Sequence, residues 1–248
     1  MSAAKAALRF HCESDVGRVR SENQDAWSAG AGLFLVADGM GGANAGGVAA
    51  KAVAELMSSR VAERTAPLQK RRAKALPEAL RKTIQEFSAE LRDRAKADAR
   101  LRGMGAAFVL ALSRGRSLHV VHLGDSRAYL LEKGRLKRLT RDHSIVAVLL
   151  ELGKITPEQA RVHPQRHALS RFVGMDGKAV SEVATVKPKP GARLLLCTDG
   201  LTNMLSDEDI QAALSSEAEP EGACRKLIEE ANAAGGEDNV TALVADLP

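Results

Sequence analysis

Aromatic side chains are scarce. One Trp, one Tyr and five Phe make up 3% of the 248 residues. So few stacking platforms argue against single-stranded nucleic acid as a ligand. Cysteine is as sparse: Cys12, Cys197 and Cys224 are widely spaced and form no CxxC pair. That argues against a zinc site and a disulfide framework, and reduced, mostly buried thiols are expected. No apolar run approaches the roughly 18 residues that span a bilayer. The start, "MSAAKAALRFHCESD", has no signal-peptide core. The expectation is a cytoplasmic protein with no membrane partner.

What is present fits one soluble domain over 1–248, with 45% hydrophobic and 27% charged residues. The net charge of +5 is unevenly placed, because residues 60–102 hold thirteen Lys/Arg against six Asp/Glu. With so few aromatics in the chain, these charges read as solvated helix faces and their loop rather than a nucleic-acid surface, although an acidic partner or a phosphopeptide could dock there. A monomer is expected.

Along the chain, "GLFLVADG" reads as a buried strand running into a turn. Val48, Ala52, Val53, Leu56 and Val61 follow near helical spacing. "TAPLQKRRAKALP" breaks that pattern as a connector. Leu76, Leu80, Ile84, Phe87 and Leu91 restore a helical stripe that continues to about Ala99. Residues 106–140 are three apolar runs split by "SRGR", "GDSR" and "EKGR", which predicts a meander of antiparallel strands. Residues 142–175 look irregular and helical, with a capped start at Thr156, Pro157 and Gln159. "RLLLCTDG" is another strand, Ser206 with Asp209 caps another helix, "CRKLIEEANAAGG" is the last helix and "NVTALVADL" the last strand. Strands cluster instead of alternating with helices, so the fold class is α+β with helices outside an antiparallel sheet layer.

Asp38, Asp125 and Asp199 each stand where an apolar run meets a turn, and Asp25 and Asp238 stand just before one. One such aspartate is an ordinary turn former. Several converging on one spot would repel unless a cation neutralised them. An all-oxygen set without Cys or His favours Mg²⁺ or Mn²⁺. A pair of such ions about 4 Å apart acidifies and orients a water for in-line attack on phosphorus. The implied chemistry is phosphoester hydrolysis.

"SDVGRVRSENQDAW", "LFLVADGMGGANAGGVAA", "VHLGDSRAYLL", "LTRDHS", "HPQRHALSRFVG", "LLLCTDGLTNMLSD" and "GGEDNVTALV" resemble, in this order, the motifs of PPM-type metal-dependent serine/threonine protein phosphatases (the 2C class), most of all the compact bacterial members. Each motif alone is weak; seven in order are specific. The resemblance spans about residues 10–247. It implies a β-sandwich of two antiparallel sheets flanked by helices on both outer faces, with metals at one end. It implies that Asp38 bridges two core Mn²⁺ or Mg²⁺ ions, that the Gly39 carbonyl binds the second, and that Asp199 and Asp238 complete the first. Asp25 would order water at the metals without touching them. Arg20 would clamp the substrate phosphate, which its planar fork suits. Asp125 would bind a weaker third ion, and residues 142–175 would form a flap that sets substrate preference. Its Arg161, Arg166 and Arg171 read first as a solvated surface, with contact to phosphoprotein substrates as the alternative. A Hanks-type serine/threonine kinase is the implied opposing enzyme.

Three departures stand out. Asn203 replaces an aspartate that helps hold the third ion, so that site is expected to be weak or absent. Ala106 and Ala107 stand where two threonines are usual. Met40 stands where many eukaryotic members have a histidine proposed as general acid, and a thioether donates no proton. His143 falls within the motifs without an assignable place near the phosphate. Cys197 lacks the CxxxxxR loop of cysteine phosphatases and reads as core. Two further readings remain: a phosphatase dedicated to one regulatory phosphoprotein, and a catalytically silent binding module. Retention of Asp38, Asp199 and Asp238 favours an enzyme.

Overall fold

The computed structural model describes residues 8–42, 45–68 and 75–248. Its strands form two five-stranded antiparallel sheets. One runs β1 (Phe10–Asp15), β10 (Val240–Asp246), β9 (Arg193–Cys197), β6 (Arg127–Glu132), β7 (Arg135–Arg138). The other runs β2 (Asp25–Gly30), β3 (Leu33–Met40), β4 (Gly105–Arg114), β5 (Ser117–Leu123), β8 (Glu182–Val186).

The continuous apolar runs are explained by burial on both faces of the central strands. Phe34 and Val36 of β3 meet Leu194, Leu196 and Leu243 of the other sheet in a layer between the two. The alternate residues Leu35 and Ala37 face a second core with the helices of that side. Leu195, Cys197 and Val244 likewise face α7 (Asp207–Ser216) and α8 (Pro220–Ala233). The result is the four-layer sandwich, helices on both outer faces.

α3 (Leu76–Ala97) buries all five residues of its stripe. It ends at Ala97, where the Asp98 side chain accepts from the Arg100 amide and starts a short 3₁₀ turn. The preceding helical segment needs a correction. α1 (Ala45–Ala52) and α2 (Ser58–Thr65) are joined by a π-turn, Val53–Met57. Its wider winding turns Met57 inward and leaves Leu56 54% exposed, so the stripe predicted through Leu56 breaks there.

The predicted meander is also corrected. β4 and β5 pair as a hairpin, but "GDSR" is not the next hairpin turn. The chain crosses there to the other sheet, where β6 pairs with β7 and β9. The capping boxes at Thr156/Gln159 and Ser206/Asp209 form as expected. The basic 60–102 stretch is a solvated surface where it is described: Arg60 pairs with Glu90 at 2.8 Å and Arg64 with Glu86. Its Lys70, Arg71, Arg72 and Lys74 lie outside the described residues. Among the described residues no helix is long and apolar enough to cross a membrane.

Candidate metal centre

Antiparallel register sets Asp25 directly opposite Asp38 on neighbouring strands. Like charges in that position repel, so the sheet builds in an unfavourable pair. Asp25 is held by the other sheet: its Oδ2 accepts from Thr198 Oγ1 at 2.9 Å and Thr241 Oγ1 at 2.6 Å. Thr198 follows β9, and its hydroxyl also accepts from the Thr241 amide at 3.0 Å. The carboxylate therefore ties the two sheets together at one end of the sandwich.

Asp199 follows Thr198 and opens α6 (Asp199–Thr202), so the end of β9 delivers it to the same end. Asn203 Nδ2 donates to Asp199 Oδ2 at 3.0 Å. Asp238 precedes β10. Its neighbour Asn239 is a staple: Oδ1 accepts from the Gln24 amide at 2.8 Å, and Nδ2 donates to the carbonyls of Val16 (3.0 Å) and Glu22 (2.8 Å). That fixes the 16–24 loop onto the start of β10 and brings Arg20 to the site. Arg20 Nη2 lies 2.7 Å from Asp238 Oδ2. Asp125 stands at the crossover between sheets, just after Gly124, whose φ is +100°.

Gly39 is required by space. A Cβ there would lie 2.1 Å from the Gly46 carbonyl oxygen, so only glycine lets β3 run so close to α1. Ala107 lies opposite Asp38 and Ala106 opposite Gly39. Ala106 exchanges backbone hydrogen bonds with Val173 of the flap, at 3.1 and 2.9 Å. Met40 ends β3 opposite Gly105 and brings no proton donor.

The electrostatics show convergence. Burial raises the carboxyl of Asp38 far above the ordinary range, and Asp199, Asp25, Asp125 and Asp238 push it further. Asp25 is raised to about 7 by burial, against its two threonine donors, with Asp199 and Asp238 adding to the rise. Burial raises Asp125 strongly, with Asp199 and Asp142 next. Asp199 is raised by burial and then Asp238, and is eased by Asp38, by Asn203 and by His167 of the flap. Two oxygens in this cluster, Asp25 Oδ1 and Asp199 Oδ1, are buried without a hydrogen-bond partner. Buried polar atoms are rarely left so. Hard oxygen donors, mutual repulsion and orphaned oxygens fit a divalent cation.

The sequence-predicted residues Arg20, Asp25, Asp38, Gly39, Asp125, Asp199 and Asp238 thus come to one end of the sandwich. The aspartates do not close into one tight ligand shell. Among the described residues, the group whose ligand atoms all lie within 4.8 Å is His122, His143 and Glu182. His143 is at the root of the flap and outside the carboxylate cluster. Arg161 and Arg166 are exposed, and Arg171 reaches Glu182 at 3.4 Å. Thr198, Thr241, Asn239 and His167 are not singled out by the sequence; the first three lie inside the "CTDG" and "GGEDNVT" motifs, the one local signal that could have found them.

A model of the "Protein phosphatase 2C" family matches residues 17–234. The chain belongs to the protein phosphatase 2C family. It is 38% identical over 248 residues to the "Serine/threonine phosphatase stp" of Listeria monocytogenes, covering 96% of each chain. The crystal structure of the Mycobacterium tuberculosis serine/threonine phosphatase PstP/Ppp superposes with a TM-score of 0.82 at 38% identity, covering 97% of this chain and 98% of that one. A PstP catalytic domain in complex with two manganese ions superposes with a TM-score of 0.76 at 36% identity, covering 96% of this chain and 97% of that one. The strand-end carboxylates gather at one end of this fold.

Proposed function

We propose that the protein hydrolyses phosphoserine and phosphothreonine esters in proteins, with two Mn²⁺ or Mg²⁺ ions as cofactors. The observation that carries this reading is the convergence of five mutually repelling carboxylates with two buried oxygens left unpartnered. The related phosphatases, one with two manganese ions, support the same reaction. Asp38, the Gly39 carbonyl, Asp199 and Asp238 are the ligands in this reading, with Asp125 a weak third-site residue. When bound, the ions supply Lewis-acid activation of water and neutralise the phosphate charge.

The chain's own residues do the rest. Asp25, anchored by Thr198 and Thr241, orders water beside the ligands. Arg20 leaves Asp238 to grip two phosphate oxygens through its planar fork. Met40 donates nothing, so the leaving oxygen takes its proton from water or another residue.

Residues 1–248 act as one catalytic domain with a flap at about 142–175. The protein works as a cytoplasmic monomer opposing a serine/threonine kinase in signalling. The three free cysteines suit a reducing compartment. A phosphothreonine peptide incubated with the purified protein should release phosphate only with Mn²⁺ or Mg²⁺. Metal-independent release, or none from folded protein with either ion, would overturn the reading.

A further inference from the structure

His143 is 4% exposed and is not needed for the carboxylate centre, yet it makes contacts in four directions. Its amide donates to the Gly124 carbonyl at 2.9 Å, and the Gly124 amide donates back to its Nδ1 at 3.3 Å. The Ser170 amide donates to its carbonyl at 2.8 Å. Its Nε2 lies 3.2 Å from Glu182 Oε1 on β8. Its ring stacks on His122 of β5, with centroids 4.5 Å apart and planes 9° from parallel. A fixed N–H pointing at Nδ1 requires a lone pair there, so Nε2 carries the proton and donates it to Glu182.

The neighbours extend the grip. Asp142 binds Arg127 with two hydrogen bonds, at 3.1 and 2.8 Å, and also pairs with Arg138. Arg141 offers its carbonyl to His122 Nε2 at 2.7 Å. Asp142 therefore holds the chain just after Asp125, and His143 holds it just before. From the same point, Ser144 bridges Leu169 and the Ile145 amide donates to the Ala168 carbonyl at 2.8 Å. Both limbs of the flap are rooted on this strap.

His122, His143 and Glu182 could be read as a third kind of metal site. The geometry speaks against it. In-plane lone pairs of two nearly parallel stacked rings lie in separate parallel planes, so they do not meet at one ion. Arg171 already brings a cation to Glu182, at 3.4 Å.

We propose that His143 is a positioning residue: it locks the Asp125 turn and the flap's return limb into one unit, with Glu182 holding the flap side. The inference rests on the reading of this turn and flap as walls of a phosphatase site. Local contacts of this kind set local opening rates, so hydrogen exchange reads the lock directly.

The test compares His143→Ala, His143→Asn and Glu182→Ala by hydrogen exchange and by kinetics on a phosphothreonine peptide in Mn²⁺. His143→Ala should speed exchange about tenfold in residues 121–128 and 164–175 and leave the rest of the chain unchanged. His143→Asn, whose Oδ1 can still accept from Gly124, should restore protection of 121–128 alone. Glu182→Ala, at an edge strand and safe for folding, should loosen 164–175 alone and raise KM about fivefold with kcat within about twofold. Wild-type exchange in both segments of Glu182→Ala and His143→Ala overturns the proposal. So does a uniform rise across the chain with kcat falling in step, the signature of a merely structural role. The exchange arm needs no turnover, so an inactive wild type would sink the phosphatase reading and leave the lock to be judged separately.

Discussion

Arg20 Nη2 lies 2.7 Å from Asp238 Oδ2, so the residue assigned to the phosphate grips a residue assigned to the metal. A cation at Asp238 and the guanidinium compete for one carboxylate. The pair is half exposed, and such pairs contribute at most about 1 kcal/mol. Arg20→Ala should therefore tighten Mn²⁺ binding by up to about fivefold while lowering kcat/KM for a phosphopeptide by about 100-fold. Calorimetric Mn²⁺ titration and steady-state kinetics on the same preparation check both directions.

Thr241 is fully buried and gives Asp25 its shorter hydrogen bond, 2.6 Å. Thr241→Val keeps the shape and removes the donor, leaving Thr198 alone on that oxygen. A buried carboxylate losing such a bond costs about 1–3 kcal/mol. Denaturant unfolding in EDTA should show that loss, and Ser at the same position should recover most of it.

How much of this was legible in the sequence depends on range. Asp38, Asp199 and Asp238 could be placed at strand ends because each sits in a short motif whose strand and turn are local. Leu35 and Phe34 could be assigned to a buried strand, but not to two different cores, because that division exists only when a second sheet is present. Asp125 looked like part of a hairpin turn; nothing local distinguishes that from a crossover between sheets. The Thr198 and Thr241 grip on Asp25 joins residues more than 170 positions apart. Leu56 was misplaced because a π-turn shifts the helical phase without a distinct composition.

Metal-free stability should depend on pH in a direction opposite to most proteins with paired carboxylates. Asp25 is raised to about 7, and Asp38, Asp125 and Asp199 are raised with it, by burial and mutual repulsion. The folded state thus binds protons more tightly than the unfolded one, where an aspartate titrates near 3.9. This contribution favours folding at low pH and is lost as pH rises from about 4 through 7. In EDTA the Tm should fall over that window, and Mn²⁺ should raise Tm most at its upper end. A Tm in EDTA that rises from pH 5 to 7.5 would show that these carboxylates do not govern it.

Asn203 donates to Asp199 at 3.0 Å. Asn203→Asp replaces that donor with another negative charge. The metal-free Tm should drop, by an amount corresponding to about 1–2 kcal/mol. Mn²⁺ stoichiometry should rise from two to three. An unchanged stoichiometry in the variant would show that Asn203 does not limit the third site.

The central claim is that the strand-end aspartates form one two-ion centre joined by Asp38. Anomalous diffraction from crystals soaked in Mn²⁺ tests it most directly. The account predicts two strong peaks that share Asp38, with Asp199 and Asp238 around one of them. A single peak, peaks that do not share Asp38, or manganese found only at His122, His143 and Glu182 would contradict it.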